Sequence, residues 1–549
     1  MTYDSTPAAP PQRETAETSR RGFLLTAGTA GAGLLLAGCT QAATAASKQP
    51  SRPAVPASTA SSTRPAWLSG PSAKPTAKDW EALRKKLSSH DLARPGQKGY
   101  SQARQMFDPR FSSLQPQGIA YCRTPADVAA CLAFVTTFSM AVRARSGGHS
   151  YAGWSSVNGG LVVDVSQMNS FSVGNGTATV GTGIALIDFY SKLASHGLAV
   201  PGGSCPTVGI AGLTLGGGVG VLSRLYGLTS DNLQSVQMVT ADGSVLTCDA
   251  SQHSDLYWAS RGGGGGNFGI ATSFTFGTHK LSKLIVFFLG WPWSQAAKVV
   301  SGWQSWAPSA PDALWANLHL TANTGGPPAV GVGGTYVGSV TGAAAQLHDL
   351  YRKVGSNPNS YFLNEESFLS AMLIEAGCTS LSVRQCHTSP TGQLPRVPSY
   401  AKSDFFTSKL NGAGISALVS GIEKLQHVSG ASGGVGAVAF DAFGGALNRV
   451  KPAATAFVHR NSLFLAQYST SWDWPGTARG TTNQRNWLNS YYKAVHPHAS
   501  GQAYQNYVDP DLSSWKQAYY GANYSMLTQV KSTYDPHQLF KFPQSIPPA

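Results

Sequence analysis

The alternation of apolar and polar positions is sharpest between residues 119 and 195. Ile119-Ala120-Tyr121-Cys122 has the character of a short strand, after which the period changes. Thr124-Pro125-Ala126-Asp127 predicts a helix start: threonine caps, proline suits the first turn, and aspartate favours the positive end. Val128, Leu132 and Val135 would share one face of that helix. Val142 to Arg145, Leu161 to Val165 and Thr177 to Val180 read as strands. Leu186 to Ser195 reads as a helix with Gly197 at its C-terminal cap. Residues 80–115 read as helix and loop. From about 280 to 505 the chain becomes rich in Trp, Phe and Tyr. Strand candidates there are Leu314 to Leu320, Ala329 to Val337 and Ser462 to Tyr468, which predict a second domain on an antiparallel sheet. The class expected is α+β, with short elements and many glycine turns and no internal repeat.

Length and composition sharpen this. A chain of 549 residues exceeds what one core usually organises, so two or more domains are expected. Charged residues are only 12%, against about 25% in typical soluble domains. The formal charge is +14, yet Lys and Arg are scattered, with no dense basic run among aromatics, which argues against a nucleic-acid partner. Near the N-terminus, Ser19-Arg20-Arg21-Gly22-Phe23-Leu24-Leu25 is a twin-arginine export pattern ahead of a short apolar run. That run ends in Leu36-Ala37-Gly38-Cys39, which resembles the lipobox of bacterial lipoproteins. It implies a lipid anchor on Cys39 and a mature protein on the outer face of the membrane, or secreted. The expected plan is a signal peptide over 1–38, an Ala/Ser/Pro linker over 39–78, a first domain over 79–278, a second over 279–505, and a return to the first over 506–549. Spacing leaves the pairing of Cys122, Cys131, Cys248, Cys378 and Cys386 open. No Cys-x-x-Cys or His-Glu-x-x-His occurs, so no metal site is expected.

Three segments carry chemistry. In Arg145-Ser146-Gly147-Gly148-His149-Ser150-Tyr151 a strand runs into two glycines whose N–H groups suit an anion. Taken alone, His149 there reads as a loop histidine. Pro201-Gly202-Gly203-Ser204-Cys205-Pro206-Thr207-Val208-Gly209-Ile210-Ala211-Gly212, continuing through Gly216, Gly217, Gly218 and Gly220, has more glycine than ordinary packing asks for. A backbone wrapped round a bulky phosphorylated ligand would explain it, with Cys205 exposed as a nucleophile. The bland alternative is a small buried cysteine. The third is Trp258 to Gly269, where Gly264, Gly266 and Gly269 fit G-x-G-x-x-G. A dinucleotide fingerprint needs a strand before and a helix after; here a helix-like segment precedes and the strand-like Ile270 to Phe276 follows, so that reading fails. A P-loop fails for want of Gly-Lys-Ser/Thr.

Together these segments closely resemble the berberine-bridge-like branch of the vanillyl-alcohol-oxidase superfamily of FAD-linked oxidoreductases. Gln505-Asn506-Tyr507-Val508-Asp509, Trp515, Tyr519-Tyr520-Gly521, Lys531, Tyr534-Asp535-Pro536 and Phe540 extend the likeness to the C-terminus. The resemblance implies a two-domain FAD-binding fold with the second domain covering the flavin ring, its antiparallel sheet backed by helices. It implies FAD held twice, through His149 at the 8α carbon and Cys205 at C6. It puts Arg145, Ser146, Gly147, Gly148, Ser150, Val208, Gly209, Gly212, Gly216, Gly217, Asn267, Gly269 and Tyr507 against the cofactor. Tyr507 becomes the expected base, provided a positive neighbour or the flavin lowers its pKa from near 10. Gln467 stands where relatives carry an acid or amide. The implied reaction is oxidation of an alcohol, sugar or secondary metabolite, with oxygen as acceptor and Val208 small enough to admit it. A dehydrogenase with another acceptor, and a surface flavoprotein that only binds, remain as alternatives.

Overall fold

The computed structural model describes residues 74–429 and 433–549. The twin arginines, Cys39 and nearly all of the linker lie outside the described residues. The first domain begins with β1 (Leu92–Ala93), β2 (Gly118–Tyr121), β3 (Val142–Arg145) and β4 (Leu161–Asp164). These form a small sheet ordered β1-β2-β4-β3, with β2, β3 and β4 parallel. Between β2 and β3 the helix Pro125–Thr137 starts as its sequence predicts: Thr124 and Asp127 form a reciprocal capping box with Pro125 in the first turn. The domain continues with β5 (Phe171–Gly174), β6 (Thr177–Gly181), β7 (Leu198–Ala199), β8 (Leu233–Val239), β9 (Val245–Cys248), β10 (Ile270–Gly277) and β11 (His279–Lys280). All but β7 and β11, which pair with each other, make an antiparallel sheet ordered β5-β6-β10-β8-β9.

The second domain is one seven-stranded antiparallel sheet. Its strands are β12 (Lys283–Trp291), β13 (Leu314–Asn323), β14 (Ala329–Tyr336), β15 (Ser360–Ser367), β16 (Ser399–Phe406), β17 (Val435–Ala442) and β18 (Phe464–Ser471). They run in the order β15-β12-β14-β13-β17-β18-β16. The expected strands correspond to β13, β14 and β18, while β12, β15, β16 and β17 escaped the sequence reading. The period of two sorts the central strands into faces. Leu318 and Leu320, Val438 and Phe440, Phe464 and Ala466 pack against Trp303, Leu347, Ile422 and Trp487 of the covering helices. The opposite positions, among them Asn317, His319, Asp441 and Gln467, face the first domain across a cavity.

Two buried arginines fasten the seam. Arg224, from the first domain, donates to the carbonyl of Leu314 at 2.8 Å and to that of Phe443. Arg460, from the second, grips Asp231 bidentately at 2.6 and 2.8 Å. The C-terminal residues fold back onto the first domain. The Lys531 ammonium, fully buried, pairs with Asp535 at 2.6 Å and donates to the carbonyl of Asn267 at 2.5 Å. Cys378 and Cys386 form a disulfide, whereas Cys122 and Cys131 remain thiols with sulfurs 3.9 Å apart.

Candidate active site

The two glycine-rich segments of the first domain meet each other. The loop leaving β3 and the loop before the helix Ile210–Leu215 approach so closely that a Cβ on Gly147 would strike the backbone of Gly209. His149 Nε2 and the Thr207 hydroxyl hydrogen-bond across this contact at 2.8 Å. The imidazole also stacks on Phe107, centroids 4.0 Å apart. Removal from bulk water pushes its pKa down to about 3, so the ring is neutral and a lone pair is available for bond formation. Cys205 lines the same cavity, about 400 Å³ in volume, within the range of small-molecule sites.

The residues fit a large ligand at this end. Gly212 lies on the cavity wall with open space where a Cβ would be. Arg145 binds Asp164 through Nε at 2.5 Å, but its buried Nη1 has no partner; nor have the buried carbonyl oxygens of Gln505 and Gln544. Such unmet groups lining a cavity call for a ligand that meets them. Ser146, Gly148, Ser150, Val208, Asn267 and Gly269 line it too. Asn267 spends its amide on the protein, donating to Gly263 and accepting from the Ile546 N–H. Gly216 and Gly217 do not line the cavity. A side chain at the first would collide with Asn506 and at the second would press on Phe457, so close packing alone already requires glycine at both.

At the other end, Tyr507 and Gln467 enter from different elements. Gln505 anchors the tyrosine's segment by donating to the Gly216 carbonyl at 2.8 Å, and Asn506 donates to Leu213 at 3.0 Å. Gln467, on β18, donates to the Tyr151 hydroxyl at 2.7 Å. Tyr507 packs with Tyr151 and Tyr504, centroids 6.0 and 5.0 Å away. Burial, the Asp441 charge and these two phenols all push the Tyr507 pKa well above the ordinary tyrosine value. The nearby charge is therefore negative, not the positive neighbour a tyrosine base would need. Asp441 itself, paired in register with Asn317, is pushed up to about 7 by desolvation. Glu375 is pushed to about 8 by burial and the Asp441 charge, and His319 is pushed down to about 4 by burial. The sequence reading missed these three. Each is a polar residue alone among apolar neighbours: Asp441 in Val-Gly-Ala-Val-Ala-Phe-Asp-Ala, Glu375 at the end of Phe-Leu-Ser-Ala-Met-Leu-Ile-Glu, and His319 two places after Asn317 in Leu-Trp-Ala-Asn-Leu-His-Leu.

Residues 116–249 match the family model for an FAD binding domain, and 503–547 match the model described as berberine and berberine like. An FAD-linked oxidoreductase of Bacillus subtilis (strain 168) is 34% identical over 439 residues, covering 79% of this chain and 91% of the relative. The chain belongs to the berberine-bridge-like FAD-linked oxidoreductases. Chitooligosaccharide oxidase of Gibberella zeae is 28% identical, covering 79% of this chain and 88% of the relative. The structure of Physcomitrella patens BBE-like 1 superposes with a TM-score of 0.76 at 32% identity, covering 85% of this chain and 99% of the other. As a berberine-bridge-like enzyme, the protein is an FAD-dependent oxidoreductase with the α+β, two-domain fold of its superfamily. The matched segments bear on both ends of the cavity: the first carries His149 and Cys205, the second Tyr507. Among the described residues no cluster of His, Cys, Asp or Glu is arranged to hold a metal ion, and no helix is long and apolar enough to cross a membrane.

Proposed function

We propose that this protein is an exported oxidase that takes a hydride from an alcohol carbon of a small, oxygen-bearing organic molecule and delivers the electrons to oxygen. The observation that carries the reading is that His149 and Cys205 share one cavity with Tyr507, Gln467 and Asp441. The first pair would hold FAD covalently. When bound, FAD supplies the hydride acceptor. The rest falls to side chains. The Tyr507 hydroxyl and the Gln467 amide, itself steadied by Tyr151, would orient the substrate hydroxyl. Its proton passes by way of Tyr507 to Asp441, whose pKa near 7 suits proton acceptance at neutral pH far better than that of a buried phenol. Two facing layers of apolar core keep water away from the exchange.

Oxygen as acceptor is supported by the oxidase among the similar proteins and by Val208, a side chain of modest size on the cavity wall. The twin arginines and Cys39 support export and a lipid anchor at the outer face of the membrane. The test is direct. Purified holoprotein should stay yellow after acid precipitation and release peroxide with at least one member of a panel of sugars and alcohols. Reduction of a quinone or dye without peroxide would make it a dehydrogenase; no reduction by any alcohol would overturn the reading. Replacing Cys39 by Ala should release the protein from the membrane fraction.

A further inference from the structure

A second group of unmet polar atoms lines the cavity. Trp315, His319 and Glu375 are 5%, 8% and 4% exposed, all three line the cavity, and each has a buried polar atom with no partner. The unmet atoms are the Trp315 indole nitrogen, both His319 ring nitrogens and Glu375 Oε1. Buried polar groups are nearly always satisfied. Four unmet atoms from two strand positions and one helix end therefore describe a ligand surface rather than a packing defect. All three residues line the cavity beside Asn317, Asp441 and Gln467 of the second domain's sheet.

Glu375 closes the helix Phe368–Glu375, and although Arg143 and Arg145 line the same cavity, no cationic side chain among the described residues acts on it. The helix packs on Leu186–Ala194, β12 and β15. On the first, Asp188 engages His387 at 3.2 Å, Tyr190 donates to the Gly203 carbonyl and Lys192 is exposed. Lys283 of β12 pairs with Glu365 of β15 at 2.9 Å on the surface. Tyr361 of β15 is exposed, and Glu366 accepts from Asn364 and Ser370. Neutral His319 and Asp441 line the same cavity, and only the Asp441 charge acts on Glu375. Two carboxyls in one desolvated space cannot both ionise cheaply, so their roles divide.

We infer that Glu375 is a specificity residue of this site: as a carboxylic acid it donates a hydrogen bond to a second oxygen of the substrate while Asp441 stays the acceptor. The inference rests on the oxidase reading above. It selects an uncharged alcohol that carries another oxygen near the reacting carbon, with the Trp315 N–H and the His319 ring meeting further oxygens. Carboxylate substrates are rejected by the acid pair.

Two features of pH dependence test it. Burial raises the Glu375 pKa from 4.5 to about 8, so the proton is kept through neutral pH and lost above it. The KM of the wild-type holoenzyme for a neutral sugar that reduces the flavin should rise above about pH 8, up to tenfold per unit. Glu375→Gln keeps an N–H donor and should abolish that rise, whereas Glu375→Ala should raise KM about 10-fold below about pH 8 and leave it flat above. Glucuronate should be oxidised at least 10-fold less efficiently than glucose in kcat/KM. The second readout needs no substrate. A carboxyl raised in the folded state stabilises most at low pH, and that stabilisation disappears as pH climbs from the unfolded value through about 8. The melting temperature of the wild type should follow this decline, and that of Glu375→Gln should follow it less. Identical KM profiles in wild type and Glu375→Gln, or identical melting profiles, would overturn the inference while alcohol oxidation stands. If no alcohol reduces the flavin, the oxidase reading falls instead, and the melting profiles still report the state of Glu375.

Discussion

The two ends of the cavity are built by opposite means. The cofactor end is mostly backbone: two glycine-rich loops pressed together, with His149, Cys205 and Thr207 at their contact. Its residues come from short contiguous stretches. The substrate end is all side chains, drawn from alternate positions of β13, β17 and β18, one helix end and the C-terminal segment. The first binds a ligand of fixed shape, for which backbone geometry suffices. The second carries Asp441, Glu375 and His319, whose pKa values burial pushes well away from their ordinary ranges. On the proposed reading, permanent attachment would belong to one end, and choice of substrate and proton traffic to the other.

The sharpest break between the ends is covalent attachment. The doubly substituted His149→Ala, Cys205→Ala protein should release all flavin on denaturation, whereas each single variant should retain it by one bond; peptide mapping of the denatured protein reads this. Untouched retention in the double variant would move the attachment elsewhere. At the substrate end, Asp441→Asn should slow anaerobic flavin reduction by roughly 10²–10⁴-fold, the usual worth of a lost proton acceptor. It should also remove a limb of the rate profile. In the wild type the rate should drop as pH falls below about 7, where Asp441 takes up its proton, and in the variant it should not. Stability moves the other way. Because the folded pKa is raised, the wild type loses stability as pH rises from about 4 through 7, and the variant should lose less. Tyr507→Phe should slow reduction without moving the melting temperature or flavin content, and should keep the limb near 7. Loss of that limb in Tyr507→Phe, with its survival in Asp441→Asn, would return the base to the tyrosine. The smallest expected effect is at Val208: its replacement by Leu should slow reoxidation in stopped flow while reduction hardly changes, because one methylene in close-packed surroundings narrows access.

This contrast also explains what was legible in the sequence. Contiguous loops announce themselves: Gly147-Gly148-His149 and Cys205-Pro206-Thr207 could be read as a unit, as could the capped helix at Thr124. The class and the antiparallel second sheet followed from β13, β14 and β18. The strand β17 did not, because burial on both faces leaves an almost unbroken apolar run in which the period of two vanishes. With β17 went Asp441, and with the unremarked helix Phe368–Glu375 went Glu375. Such residues become neighbours only through strand order, here β13 beside β17 beside β18, which no local pattern encodes. The glycine run misled in one respect. Gly216 and Gly217 are required by Asn506 and Phe457 whether or not a ligand comes near, and absence of a side chain has the same signature for both purposes.

The returning segment works as a clasp. Tyr507, Gln505 and Gln544 join the cavity only when this segment has folded back, and the buried pair of Lys531 with Asp535 holds the return in place. The main-chain N–H of Ile546, three residues from the end, bonds the side chain of Asn267 in the first domain. The cavity is thus closed by a segment remote in sequence from the loops it seals. A change that loosens the Lys531–Asp535 pair would be felt first at the cavity wall, through Asn267, rather than at the periphery.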